Sequence, residues 1–128
     1  SGGRILLVAD ADMVRAVAES ALSRAGYQIT ACADGDEGLE AFEEDSAFDI
    51  VVSDVVMPGM DGPAMVRAIR KLNPQIPVLF MSGYAEEALR KDIDVPHMYF
   101  LPKPFSVAVI TDKVAMVMAE AQATKEDR

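Results

Sequence analysis

The sequence predicts an α/β domain built on a parallel β-sheet with helices over both faces. Short, unbroken apolar runs alternate with longer stretches of helical periodicity, which is the spacing of βαβ units. The runs are apolar from end to end, as parallel strands covered on both faces are. Right-handed crossovers then leave few topologies open. A chain of 128 residues and 13.8 kDa holds one such domain and enough length for one sizeable core.

Ile5–Val8 is the first apolar run and ends in Ala9-Asp10. Met13, Val14, Val17, Ala21 and Leu22 then fall on one face of a helix that Gly26 stops. Tyr27–Ala31 reads as extended, and Asp34-Gly35-Asp36 leads into a helix carrying Leu39, Ala41 and Phe42. Asp49–Ser53 is a buried strand. It is followed by the turn-rich Met57-Pro58-Gly59-Met60-Asp61-Gly62 and a helix with Met65, Ala68, Ile69 and Leu72. Asn73-Pro74 closes that helix, because proline disfavours helical geometry in the residue before it. Val78–Met81 is the next run, leading through Gly83 to a polar helix around Ala85–Lys91. Met98–Leu101 is extended, and Ser106 is placed to cap a last helix whose stripe is Val107, Ile110, Val114, Val117 and Ala121. Ser1–Gly3 are expected to be vector-derived, residues 4–121 to form the domain, and residues 122–128 to be a polar tail.

Lys plus Arg number 12 against 21 Asp plus Glu, a net charge of −9, which argues against a nucleic-acid backbone or an anionic membrane as partner. One cysteine, Cys32, excludes a disulfide framework and reads as a small buried hydrophobe. No apolar run approaches membrane-spanning length, so the expected setting is cytoplasmic and reducing.

In an open parallel sheet, ligands bind at the carboxyl ends of the strands near the point where strand order reverses. The residues ending the apolar runs are Asp10, Ser53-Asp54, Ser82-Gly83 and Lys103. Two carboxylates, a hydroxyl and an ammonium therefore converge on one rim. Close carboxylates repel unless a cation sits between them, and Mg2+ suits a site of one or two carboxylates completed by water and phosphate oxygens.

Asp54-Val55-Val56-Met57-Pro58-Gly59-Met60-Asp61-Gly62 resembles the phosphoacceptor strand and turn of response-regulator receiver domains, the CheY-like fold. Ser82 stands where that family has its switch hydroxyl, and Lys103-Pro104 where it has a lysine–proline pair. The resemblance runs from about Arg4 to Ala121. Within the family, the segments Asp12–Val17, Phe80–Glu87 and Phe100–Phe105 are similar to the C-terminal receiver of CckA-type hybrid histidine kinases.

The resemblance implies a doubly wound five-stranded parallel sheet ordered 2-1-3-4-5, which sets Asp10 beside Asp54. It also implies phosphoryl transfer from a phosphohistidine onto Asp54, with Mg2+ held by Asp10, Asp54 and the backbone carbonyl of Val56. The physical roles agree. Transfer to an aspartate depends on positioning and on neutralising the phosphoryl oxygens, to which Lys103 contributes a positive charge. Ser82 can donate a hydrogen bond to the arriving group. That movement biases a two-state surface reported by Tyr84 and Phe100. The implied partners are a histidine kinase domain and a histidine phosphotransfer protein, and the parent would be a membrane-anchored hybrid kinase. Pro104 is expected to follow a cis bond.

One departure matters. The family has two adjacent acids after the first strand, whereas here the pair is Ala9-Asp10; weaker Mg2+ affinity is expected, and Asp12 is assigned to capping the first helix. Ala9 leaves open a second reading, a pseudo-receiver that binds partners without being phosphorylated. A third reading is a haloacid-dehalogenase-type phosphatase using Asp10 as nucleophile and Asp12 as acid/base. It leaves Asp54 and its turn unexplained and gives no room for that family's flap. His97, beside Pro96 before a strand, reads as a loop residue and not as a phosphodonor. On the last helix, Val109, Met116 and Ala119 add an outer apolar patch, expected to be a docking or self-association face.

Overall fold

The computed structural model describes residues 2–83, 90–91, 93 and 95–126, of which 124–126 through the backbone alone. Five strands form one sheet: β1 (Arg4–Val8), β2 (Gln28–Cys32), β3 (Ile50–Asp54), β4 (Val78–Ser82) and β5 (Met98–Pro102). All neighbours are parallel and the order is β2-β1-β3-β4-β5. The described helices are α1 (Asp12–Arg24), α2 (Gly35–Glu44), α3 (Gly62–Leu72) and α4 (Val107–Glu126).

The strands are apolar throughout because successive side chains point to opposite, equally covered faces. Leu6, Val8, Val51, Val78, Phe80 and Phe100 join Phe42, Met65 and Ile69 in a core beneath α2 and α3. Ile5, Leu7, Ile50, Val52, Leu79 and Met81 join Ala18, Leu22, Ile110, Val114 and Val117 beneath α1 and α4. The eight-fold use of methionine is mostly packing of this kind, Met65 and Met81 being fully buried.

Three strands reach further than expected. β3, β4 and β5 end at Asp54, Ser82 and Pro102, so the aspartate and the hydroxyl belong to strands and share their rigidity. Gly26 takes φ +101° just after α1, the left-handed conformation that glycine adopts without strain. Asn73 caps α3 at its carboxyl end and Pro74 follows.

Some expectations fail. Met13 is 78% and Val17 44% exposed, so they are not in the core stripe of α1; Val14, Ala18, Ala21 and Leu22 face the sheet instead. Alanine at two of those positions lets the helix sit close, which turns the Met13–Val17 edge outward. Val107 and Leu72 lie at helix ends and are likewise exposed, and Ala121 is half-buried. The last helix continues to Glu126, through residues expected to be a polar tail. Tyr84 and most of the helix expected around Ala85–Lys91 lie outside the described residues, and its last two, 90–91, are helical.

Candidate functional site

Pairing of Val8 with Ser53 and of Asp54 with Met81 sets the carboxyl ends of β1, β3 and β4 side by side. Asp54, the last residue of the central strand, is 1% exposed. The backbone N–H of Asp10 donates to its Oδ2 at 3.3 Å. Lys103 Nζ stands 2.6 Å from Oδ1, an ion pair between a buried carboxylate and an ammonium whose side chain is 32% exposed. Oδ1 has no regularly shaped hydrogen bond in addition. Lys103 is held in turn by its own N–H, which donates to the carbonyl of Ser82 at 2.8 Å, and it precedes a cis peptide bond to Pro104. The end of β4 thus carries both the Ser82 hydroxyl and the anchor of the lysine. Ser82 is 5% exposed.

Opposing effects act on Asp54. Burial pushes its carboxyl above the ordinary value and is the largest influence. Lys103 and the Asp10 N–H pull it down, and the neighbouring Asp10 carboxyl pushes it up again.

The turn after β3 is shaped around this aspartate. Ser53 Oγ donates to the Asp54 carbonyl at 2.8 Å, and Gly62 N–H donates to the Val55 carbonyl at 2.9 Å. The next carbonyl along the loop is that of Val56, a residue 66% exposed. Gly59 has φ +74°, and a Cβ on Gly62 would lie 2.2 Å from the Asp54 carbonyl oxygen, so only glycine lets the chain turn back this tightly. Asp61 then caps α3 by accepting the Ala64 N–H at 2.9 Å.

The side chains at the rim that could hold a cation are those of Asp10 and Asp54, both oxygen donors, and the Val56 carbonyl expected to join them follows in the loop after β3. A buried carboxylate, already ion-paired to Lys103 through Oδ1, with the Asp10 carboxyl next along the rim, fits a hard divalent cation that keeps several waters, as Mg2+ does. Among the described residues no three His, Cys, Asp or Glu side chains gather to hold a metal. Ala9 is fully buried in the core beneath α1 and α4.

Asp12 departs from expectation. The N-cap of α1 is Ala11, which makes no side-chain capping bond, and Asp12 is the first helical residue. Its carboxylate pairs with Arg15 at 2.5 Å. Because α1 begins at once, a hairpin flap after β1 has no room, as the sequence indicated.

Phe100 is 5% exposed and stacks on Phe80 with ring centroids 6.0 Å apart, while the Arg90 guanidinium covers its ring at 5.1 Å. Tyr84, the other expected switch reporter, falls outside the described residues. His97 is exposed, turns with φ 53° ahead of β5, and so lies at the opposite end of the sheet from Asp54.

Two features were not read from the sequence. One is Arg15, whose reach back to the β1–α1 turn has no sequence signature beyond its i, i+3 spacing from Asp12. The other is an apolar groove beside the site, lined by Met13, Val14, Val17, Lys103, Pro104 and Phe105. Its signal was present: α1 carries more apolar residues than one buried stripe can use.

Topology and site together define a class, the CheY-like α/β domain whose rim carries aspartates after β1 and on β3 and a lysine after β5. The chain belongs to the response regulator receiver domain family, whose model matches residues 5–115. It is 46% identical over 112 residues to the sensor kinase CckA of Brucella abortus, covering 86% of this chain and 12% of that protein. It is 32% identical to the response regulator receiver protein CpdR of the same organism, covering 92% of this chain and 98% of that one. Among solved structures, the receiver domain of the hybrid histidine kinase CckA superposes with TM-score 0.79 at 38% identity, covering 91% of this chain and 99% of that one. The chemotaxis protein CheY4 of Vibrio cholerae superposes with TM-score 0.84 at 28% identity, covering 91% and 99% of the two chains. The chain is thus a receiver domain of two-component systems, similar to the CckA receiver, and it spans only 12% of that kinase. Among the described residues no helix is long and apolar enough to cross a membrane.

Proposed function

We propose that the domain accepts a phosphoryl group from a phosphohistidine on Asp54 and relays it, as the receiver part of a hybrid histidine kinase. The observation that carries this reading is the buried Asp54 carboxylate at the sheet's rim, ion-paired to Lys103 at 2.6 Å and held by the Asp10 N–H. In the transfer, an Asp54 oxygen forms a bond to phosphorus as the donor's P–N bond breaks. The electron pair stays with the imidazole, which takes a proton from solvent. Lys103, released from the free carboxylate, neutralises a phosphoryl oxygen, and Ser82 donates a hydrogen bond to another. Asp10, Asp54 and the Val56 carbonyl would hold Mg2+, which supplies further positive charge to the phosphoryl oxygens. Attack of water on phosphorus later returns Asp54 and inorganic phosphate. Burial of Phe100 against Phe80 gives the switch a defined resting position.

The donor belongs to another domain or protein, since the one histidine, His97, sits at the far end of the sheet. A histidine kinase domain and a histidine phosphotransfer protein are the partners that fit, on the cytoplasmic side of a membrane-anchored parent. Val109 and Met116 are exposed on α4, 48% and 37%, and offer a face for self-association. Ala9 favours a second reading, a pseudo-receiver with impaired metal binding.

Incubation with Mg2+ and a small phosphodonor, followed by mass mapping of acid-stable, base-labile adducts, separates the readings. An adduct on Asp54, absent from Asp54→Asn, is expected. No adduct favours the pseudo-receiver, and an adduct on Asp10 favours the phosphatase chemistry.

A further inference from the structure

Arg15 has no part in the reading above, yet its side chain closes the turn on which that reading depends. Its side chain is 22% exposed. Nη1 donates to the Ala9 carbonyl at 2.7 Å, and Nη2 pairs with Asp12 Oδ1 at 2.5 Å. Between those two anchors lie Asp10, whose N–H reaches Asp54 Oδ2, and Ala11, an N-cap without a side-chain bond. The turn from β1 to α1 therefore lacks the usual cap and is stitched from one turn further along the helix.

We propose that Arg15 is a positioning residue for the cation site, fixing the Ala9–Asp12 turn so that Asp10 faces Asp54 and Asp12 is kept out of the site. The proposal rests on the Mg2+ reading of the rim. Its sign separates it from simple electrostatics. A guanidinium near a cation site repels the cation, so removing a mere charge tightens Mg2+ binding. Removing a positioning group loosens Asp10 and weakens binding instead. Groups that orient metal ligands from outside the coordination shell commonly carry about tenfold or more in affinity.

The test is calorimetric titration of Mg2+ at matched ionic strength into wild type, Arg15→Met, Arg15→Lys and Asp12→Asn, well below each variant's melting temperature. Expected are about tenfold weaker binding in Arg15→Met, partial rescue in Arg15→Lys, whose ammonium reaches one acceptor, and a change within about twofold in Asp12→Asn, which keeps the Ala9 contact. The Asp10 amide resonance should also move in metal-free Arg15→Met. If Arg15→Met fails to fold, Arg15→Lys carries the test through its intermediate affinity. Unchanged or tighter Mg2+ binding in a folded Arg15 variant overturns the proposal, as does lower thermal stability with unchanged affinity. A wild type that binds no Mg2+ overturns the metal reading itself and Arg15's role with it.

Discussion

Asp54 is a carboxylate kept where charge is costly, and its balance of influences has a measurable consequence. Burial raises its proton affinity above that of the unfolded chain, in spite of Lys103. The metal-free native state therefore holds more protons at this group than the unfolded state does. Stability falls as pH rises from the usual carboxylate range through Asp54's raised value, and stays lower above it. Asp54→Asn removes that penalty, and the freed Lys103, whose side chain is already 32% exposed, can rehydrate. Without Mg2+, Asp54→Asn is expected to melt a few degrees above wild type at pH 7.5, with the gap closing toward pH 4. A gap independent of pH would refute the argument. Ala9 poses the converse case. Its Cβ is fully buried, so Ala9→Asp sets a carboxylate among apolar neighbours and should lower metal-free thermal stability while tightening Mg2+ binding in calorimetry. Equal affinities would show that the departure from the family pattern is without effect. Cys32 is simpler: burial, then Glu37 and Asp34, push its thiol up to about 11 from 9.0. Alkylation at pH 8 should run about a hundredfold slower than for a thiol at the ordinary value, because the thiolate is that much rarer.

Helix starts divide into those the sequence announced and those it did not. Asp34 accepts the Glu37 N–H and Asp61 the Ala64 N–H, both at 2.9 Å, and Ser106 accepts the Val109 N–H at 3.1 Å. Ser106 was readable because a hydroxyl preceded a periodic run. Asp12 misled, because a carboxylate near a helix start satisfies the same pattern one residue too late. Ala11, with φ −76° and ψ 119°, already has the backbone of a cap and lacks only the oxygen. Asp61→Ala should therefore lose about 1 kcal/mol, and Ala11→Ser should gain up to a similar amount, in urea denaturation. The strands were legible because burial on both faces leaves one composition, and the site because their ends carry Asp10, Asp54 and Lys103. The tilt of α1 was not legible. Periodicity gave Met13 and Val17 the same weight as Val14, and only packing of Ala18 and Ala21 against the sheet chose between them. Arg15 escaped for a related reason, since its acceptor is a backbone carbonyl that no side-chain pattern marks.

The order β2-β1-β3-β4-β5 makes β1 and β3 neighbours and puts the crossover reversal at their carboxyl ends, so the acids meet where the fold has an opening. That opening belongs to a molecule carrying a net charge of −9, in which repulsion between acids opposes compaction everywhere. Any salt should raise the melting temperature by screening, and a divalent salt more than a monovalent one, so stabilisation by Mg2+ alone says nothing about a site. The discriminating quantity is the excess over NaCl at equal ionic strength. A ligand bound only by the native state adds RT ln(1 + [L]/Kd), about 1.4 kcal/mol at ten times Kd. For one site this grows logarithmically with Mg2+ once past Kd, whereas screening tends to level off. Wild type should show that excess, Ala9→Asp a larger one at lower Mg2+, and Asp54→Asn close to none. The ordering follows because Asp54 is the buried oxygen donor the cation would neutralise, and position 9 the one where the family pattern has a further acid. An equal excess in wild type and Asp54→Asn would mean that the cation reads the diffuse acidity of the surface, and the rim would lose its claim to a metal.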